Sequence, residues 1–184
     1  MMIIMKKSLI LTLLLALVFA PALAISAWDV DESEELDKKA QEAFADFMAQ
    51  DPSVEELLKQ TYAYVVIPTV GKAGFGIGGA RGKGVLYENG SVTAIVTLTQ
   101  LSFGLQWGGQ TYSEFLFFQD STALRDFKNG NFELGAQVSA VAITTGVSAD
   151  AEFVNGMAIF TQVKGGLMYE ASVGGQKFKV EEVK

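Results

Sequence analysis

A glycine-rich stretch with three cations is the part of this sequence whose residue types best suit binding chemistry. It reads KAGFGIGGARGKG, and its cations are Lys72, Arg81 and Lys83. Its glycines from Gly74 onward satisfy the pattern G-x-G-x-x-G. Cationic side chains and the backbone amides of glycine turns both attract anions. The stretch therefore indicates an anion site or, as the alternative, surface cations that pair with nearby carboxylates.

The residues after these glycines do not favour a nucleotide as the anion. A dinucleotide fingerprint requires a helix after the third glycine and an acidic residue about twenty positions later. Here the sequence continues as ARGKGVLYENG, without a helical period, and the later window reads TLTQ. A P-loop would need a glycine and a hydroxyl residue where Ile77 and Gly84 stand. We expect no nucleotide and, for so acidic a chain, no nucleic acid.

The composition excludes the commonest catalytic and metal chemistries. The sequence contains no histidine and no cysteine. Ser-His-Asp and Cys-His catalysis, cysteine-ligated zinc and disulfide bonds are therefore all excluded. Pairs of carboxylates remain available for glycosidase-type chemistry, but no spacing singles out two of them. We expect a protein that is not an enzyme, with no cofactor and no metal.

The N-terminus has the pattern of a secretory signal peptide. Lys6 and Lys7 precede an apolar run, SLILTLLLALVFA, which is followed by the small-residue pattern Ala22-Leu23-Ala24. This predicts a signal peptide at 1–24, with cleavage after Ala27 as an alternative. An uncleaved membrane anchor is a second alternative, although the run is shorter than a span of about 20 residues. The expected location is the periplasm, with secretion as the alternative.

The segment 28–61 is charged and has a helical period. Asp31 with Glu34 indicates a helix start, and Asp51 before Pro52 indicates the start of a second helix. Apolar residues recur at steps of three and four, as expected for the buried stripe of a helix: Leu36, Ala40, Ala43, Phe44, Phe47 and Met48.

The segment 62–184 is rich in Gly, Val, Thr and aromatic residues and predicts short strands. Asn89-Gly90 indicates a hairpin turn, and Asp120 indicates the start of a short helix that ends at Asn129-Gly130. Around Phe75 and Ile77 the bulky side chains alternate with glycines, so one strand face is bare and suits close approach by another element. The predicted fold is α+β, with N-terminal helices packed on an antiparallel, glycine-rich β-sandwich or barrel-like sheet with one short inserted helix.

Several longer blocks resemble the SYLF lipid-binding domain family. They lie between about Tyr62 and Gly175 and read YAYVVIPTVGKAGFGIGGARGKGVLY, LSFGLQWGGQTYSEFLFF, ALRDF, LGAQVSAVA and GGLMYEASVGG. The most specific parts are the block K-A-G-F-G-x-G-G-x-x-G-x-G and the block S-x-G-x-Q-x-G at Ser102–Gly108. The resemblance implies a phospholipid-binding domain that is not an enzyme, and bacterial relatives are small exported proteins with this domain alone.

The resemblance also implies the partners and the site. We expect peripheral binding to anionic phospholipids such as phosphatidylglycerol or cardiolipin. The basic N-terminal helix of eukaryotic, phosphoinositide-binding relatives does not carry over, because the helices here are acidic outside. On this hypothesis Lys72, Arg81 and Lys83 attract lipid phosphate, and Phe75, or an aromatic residue such as Trp107, contacts the acyl boundary.

Two alternatives remain open at this point. Trp107 is either a contact residue or a residue of the core. The protein is either a lipid-binding module or a structural or protein-interaction module of the periplasm, in which a strand pairs with an envelope protein partner.

Overall fold

The structure is a computed structural model that describes residues 22–130 and 141–183. The predicted signal peptide up to residue 21 and most of the LGAQVSAVA block lie outside the described residues. By its contacts the chain divides into two units, Met1–Glu35 and Leu36–Lys184. Among the described helices, none combines the length and the apolarity needed to cross a bilayer.

Helices precede a sheet of three very long strands and one short one. The helices are α1 (Ala22–Gln50), α2 (Val54–Leu58) and α3 (Ser121–Lys128). The strands are β1 (Ala63–Glu88), β2 (Ser91–Phe118), β3 (Val141–Ala142) and β4 (Met157–Glu182), and a 3-10 turn occupies Val147–Asp150. Among the described residues the order in the sheet is β1-β2-β4-β3, in which β3 pairs with β4 in parallel and the other neighbours are antiparallel.

The predicted α+β class, the antiparallel pairing and the inserted helix are confirmed, and the sheet is not a closed barrel. The prediction of short strands was wrong, because glycines such as Gly74 and Gly78 stay within the β1–β2 ladder. Glycines weaken a strand without ending it when the neighbouring strands continue on both sides. The turn at Asn89-Gly90 is confirmed, with positive φ at both residues, as a two-residue hairpin requires.

The three long strands bend in the middle, so that each contributes to two arms of the sheet. The first arm comprises residues 63–70, 112–118 and 157–162, and the second arm comprises residues 80–88, 91–100 and 176–182. Side chains of both arms share one core, for example Ile67 and Leu116 of the first with Leu86 and Leu98 of the second. We call the faces turned toward this core inner and the opposite faces outer.

Helix α1 packs on the sheet through the predicted stripe. Ala40, Ala43 and Phe47 are buried in a second hydrophobic core with Phe115 and Phe117 of the first arm. The predicted start at Asp31 was wrong, because Asp31 lies inside α1, which begins at Ala22. The short helix is confirmed: Asp120 caps α3 by accepting hydrogen bonds from the amides of Thr122 and Ala123.

Candidate functional site

Two rows of cations cross the outer face of the second arm. Residues directly opposite in neighbouring strands place their side chains on the same face of a sheet. Arg81 is opposite Thr99, which is opposite Lys177. In the adjacent row, Lys83 is opposite Thr97, which is opposite Lys179. The four cationic side chains are exposed. We call Arg81, Lys83, Lys177 and Lys179 the cation rows.

The cation rows are compact enough to meet one anionic surface together. Cations two positions apart on one strand are about 7 Å apart, and those two strands apart are about 10 Å apart. Lys179 donates a 2.8 Å hydrogen bond to Glu181, and both side chains are exposed. The pKa of Glu181 is lowered by this hydrogen bond and by the charges of Lys179 and Lys83. Such an exposed pair contributes little energy, so Lys179 can exchange Glu181 for another anion at little cost.

Six large apolar side chains lie next to the cation rows on the outer face of the bend. Phe75 is directly opposite Trp107, and Ile77 is directly opposite Phe103. Phe75 is 84% exposed and Trp107 is 72% exposed. We call the following residues, all of them exposed, the apolar tip: Phe75, Ile77, Leu101, Phe103, Leu105 and Trp107. The interpretation of Trp107 as a core residue was therefore wrong.

The inner face of the bend is polar and tightly packed. The buried Gln106 accepts a 2.8 Å hydrogen bond from the Ser102 hydroxyl and donates 3.0 Å and 3.3 Å hydrogen bonds to the carbonyls of Ser102 and Gly76. A Cβ at Gly74 would lie 2.8 Å from Gln106 Oε1, and one at Gly78 would overlap the same side chain. The two sequence blocks therefore meet here, with the glycines making room for Gln106.

Lys72 lies on the opposite face from the other predicted site residues. Lys72 is opposite Gln110. It also lines a groove of about 670 Å³, whose other lining residues lie near the bend and in both arms. Its charge acts on the buried Glu114. The structure thus brings Phe75, Arg81 and Lys83 together on the outer face and places Lys72 on the inner face.

Sequence reasoning missed half of the cation rows and most of the apolar tip. The signal for Lys177 and Lys179 was available in the alternation KFKV, because residues two apart share a strand face. The partly buried Phe178 between them belongs to the inner core. The register of the strands, which places these lysines beside Arg81 and Lys83, could not be inferred from the sequence pattern.

Comparison with known proteins gives one family match, to the C-terminal part of the chain. No curated protein matches the chain. Residues 99–183 match the family model described as Ysc84: Las17-binding protein actin regulator. These residues include most of β2 and all of β4, and with them Leu101–Trp107 and the two lysines of the cation rows on β4. This family is associated with lipid binding and with actin regulation. The match confirms the resemblance to the Ysc84, or SYLF, family over residues 99–183.

Proposed function

We propose that this protein is a peripheral phospholipid-binding protein of the cell envelope that is not an enzyme. The observation that carries the proposal is the pair of cation rows, which concentrates positive charge on one face of a chain whose net charge is −7. The association of the family with lipid binding supports it. Phosphate head groups of anionic lipids would contact these cations, and the signal-peptide pattern supports a location outside the cytoplasm.

The physical basis of the proposed contact is electrostatic attraction at short range. A cation close to an anionic membrane surface contributes about 1 kcal/mol, and this attraction falls off within a Debye length. Repulsion between the acidic remainder of the protein and the same membrane opposes binding. We therefore expect weak, oriented and salt-sensitive association in which the outer face of the second arm is turned toward the lipid.

The proposal is tested by neutralising the cation rows. The variant Arg81→Gln, Lys83→Gln, Lys177→Gln, Lys179→Gln should bind vesicles containing phosphatidylglycerol up to about a thousandfold more weakly, because four contributions of about 1 kcal/mol each are lost. Co-sedimentation at low salt measures the partition. Vesicles of phosphatidylcholine alone show how much of the binding depends on lipid charge.

A matched variant separates this site from net charge. Four exposed cations elsewhere are replaced in the same way: Lys38→Gln, Lys39→Gln, Lys59→Gln and Arg125→Gln. The two variants have the same net charge, so equal losses of binding would mean that no particular site exists. Unchanged binding by the first variant would reject the cation rows as the contact.

Strand pairing with a protein remains the second candidate, because β4 has an unpaired edge. β3 pairs with β4 only at Phe160 and Thr161, and in the described chain no strand pairs with that edge from Val163 onward. Such an edge can accept a partner strand. Crosslinking in cells that repeatedly captures one protein through β4, together with no vesicle binding, would favour this candidate.

A further inference from the structure

We propose that the apolar tip enters the acyl region of an anionic bilayer while the cation rows remain at the head groups. The inference rests on the proposed function and adds to it the mode of binding. The proposed partner is a membrane surface, and not a soluble head group or a single lipid extracted from the membrane.

The side chains of the apolar tip are largely exposed. Its least exposed member is Phe103 at 60% and its most exposed is Phe75 at 84%. Together the six side chains expose several hundred square ångströms of apolar surface, which is near the upper limit for soluble monomers and marks an interaction site. Head groups alone would leave this surface in water, so charge attraction does not account for it.

The hydrogen-bonded inner face of the bend holds these side chains in place. A strand with one face in water normally places polar side chains outward. Here Ser102 and Gln106 are buried inside, whereas Phe103 and Leu105 project outward. The hydrogen bond of Gln106 to the carbonyl of Gly76 crosses from β2 to β1, and its two hydrogen bonds with Ser102 fix the Gln106 side chain within β2. The apolar tip is therefore preorganised, which lowers the entropy lost on insertion.

The cation rows lie at a short distance from the apolar tip on the same face of the sheet. Only the row of Gly79 and Leu101 lies between Arg81 and Ile77, which are about 13 Å apart along the strand. Interfacial segments of proteins bury their apolar faces about 5–10 Å into the boundary of head groups and acyl chains. A tip at that depth leaves the cation rows level with the phosphates. The arrangement is thus complementary to an anionic bilayer in both polarity and charge.

The test uses Trp107 as a local probe. The chain has two tryptophans, so Trp28→Phe leaves Trp107 as the sole fluorophore of this kind. The protein is mixed with phosphatidylglycerol–phosphatidylcholine vesicles in which the phosphatidylcholine has brominated acyl chains. We expect a shift of Trp107 emission to shorter wavelength, quenching by the bromines and several-fold weaker quenching by iodide in the water. Because the signal comes from Trp107, other membrane-contacting segments do not contribute to it.

A tip variant provides a second measurement. Phe75→Gln, Phe103→Gln, Leu105→Gln should lower vesicle partition about tenfold or more at high salt, where charge attraction is screened. The matched control replaces exposed apolar residues outside the tip: Tyr62→Gln, Val154→Gln and Val183→Gln. Circular dichroism verifies that both variants are folded, as expected for changes at the surface.

The outcomes separate this inference from the proposed function. Binding that depends on the cation rows, with Trp107 still quenched by iodide and not by acyl bromines, overturns the insertion and leaves head-group binding intact. Equal effects of the tip variant and its control also overturn it. Absence of binding to every vesicle overturns the proposed function and the insertion together.

Discussion

Glu114 is a buried carboxylate at the inner face of the first arm, near the bend. Its Oε2 accepts a 3.1 Å hydrogen bond from Gln176, whereas Oε1 has no hydrogen-bond partner in the described part of the chain. Burial raises the pKa of Glu114 to about 7, although hydrogen bonds from Gln176 and Tyr112 and the charge of Lys72 act in the opposite direction. The carboxyl group therefore binds its proton more tightly in the folded protein than in the unfolded chain.

This pKa makes stability depend on pH in a predictable direction. Between about pH 4.5 and pH 7 the folded state holds the proton that the unfolded state releases, so the free energy of unfolding falls as pH rises. The full decrease is on the order of 3 kcal/mol. Glu114→Gln should remove this decrease, as measured by urea unfolding at pH 5 and pH 8. The exposed Glu152→Gln is the control, and an unchanged pH slope in Glu114→Gln would contradict the prediction.

At the scale of the elements, β1 bends back so closely that its own two halves touch. A Cβ at Gly84 would overlap the carbonyl oxygen of Val66, and one at Gly82 would lie 2.8 Å from Ile67 Cγ2. These glycines are thus needed for the approach of the second arm to the first. By contrast, a Cβ at Gly71 would meet nothing within 4 Å.

The pair Gly84→Ala and Gly71→Ala tests this packing. Gly84→Ala should lower the free energy of unfolding by about 1–3 kcal/mol, because the backbone of Val66 must move. Gly71→Ala should be nearly neutral or slightly stabilising, because alanine reduces the freedom of the unfolded chain. Denaturant unfolding measures both. Equal stability of the two variants would show that the arms do not depend on this contact.

Local signals in the sequence were enough to predict the local elements. The turn at Asn89-Gly90, the cap at Asp120 and the stripe of α1 each depend on residues close together in the chain. The bend could not be predicted, because it depends on where glycines of β1 meet Gln106 of β2. Alternation at Phe103 and Leu105 defined two faces of a strand but not which face is buried.

The sequence predicted only those residues of the candidate site that lie on a single strand, β1. Arg81, Lys83 and Phe75 were found because they lie close together on β1. The inclusion of Lys72 followed from nearness in sequence, although an odd separation places it on the other face from Phe75. Lys177 joins the site through its pairing with Thr99, a residue far away in the sequence. Such a long-range register cannot be inferred from the residue pattern of one sequence.

At the scale of the whole molecule, Asp51 joins the helices to the segment before β4. The fully buried carboxylate accepts hydrogen bonds from the amides of Ser53, Gly146 and Ser148 at 3.1, 2.9 and 2.8 Å. Burial alone would raise the pKa of Asp51, but hydrogen bonds from Ser53, Ser148 and Gly146 lower it to about 2. One side chain therefore satisfies backbone donors of segments that are far apart in sequence.

Asp51→Ala should destabilise the protein by roughly 2–4 kcal/mol, because buried amides lose their acceptor. Asp46→Ala, an exposed change on α1, is the matched control. Thermal and urea unfolding followed by circular dichroism compare the two. A loss below that of the control would mean that the helices are held by apolar packing alone.

The tight turn at Asn89-Gly90 limits how the β1–β2 hairpin can change in length. Phe75 is opposite Trp107 because the two register shifts, between Phe75 and Ile77 and between Leu86 and Tyr87, take up the extra residues that β2 has between this pair and the turn. A single residue inserted between Gly79 and Glu88 would reverse the orientation of the β1 side chains on the N-terminal side of the insertion, which lie farther from the turn, and would direct Phe75 toward the face of Gln106. Evolution can therefore lengthen or shorten this hairpin only through compensating changes on both strands, or in steps that preserve the alternation.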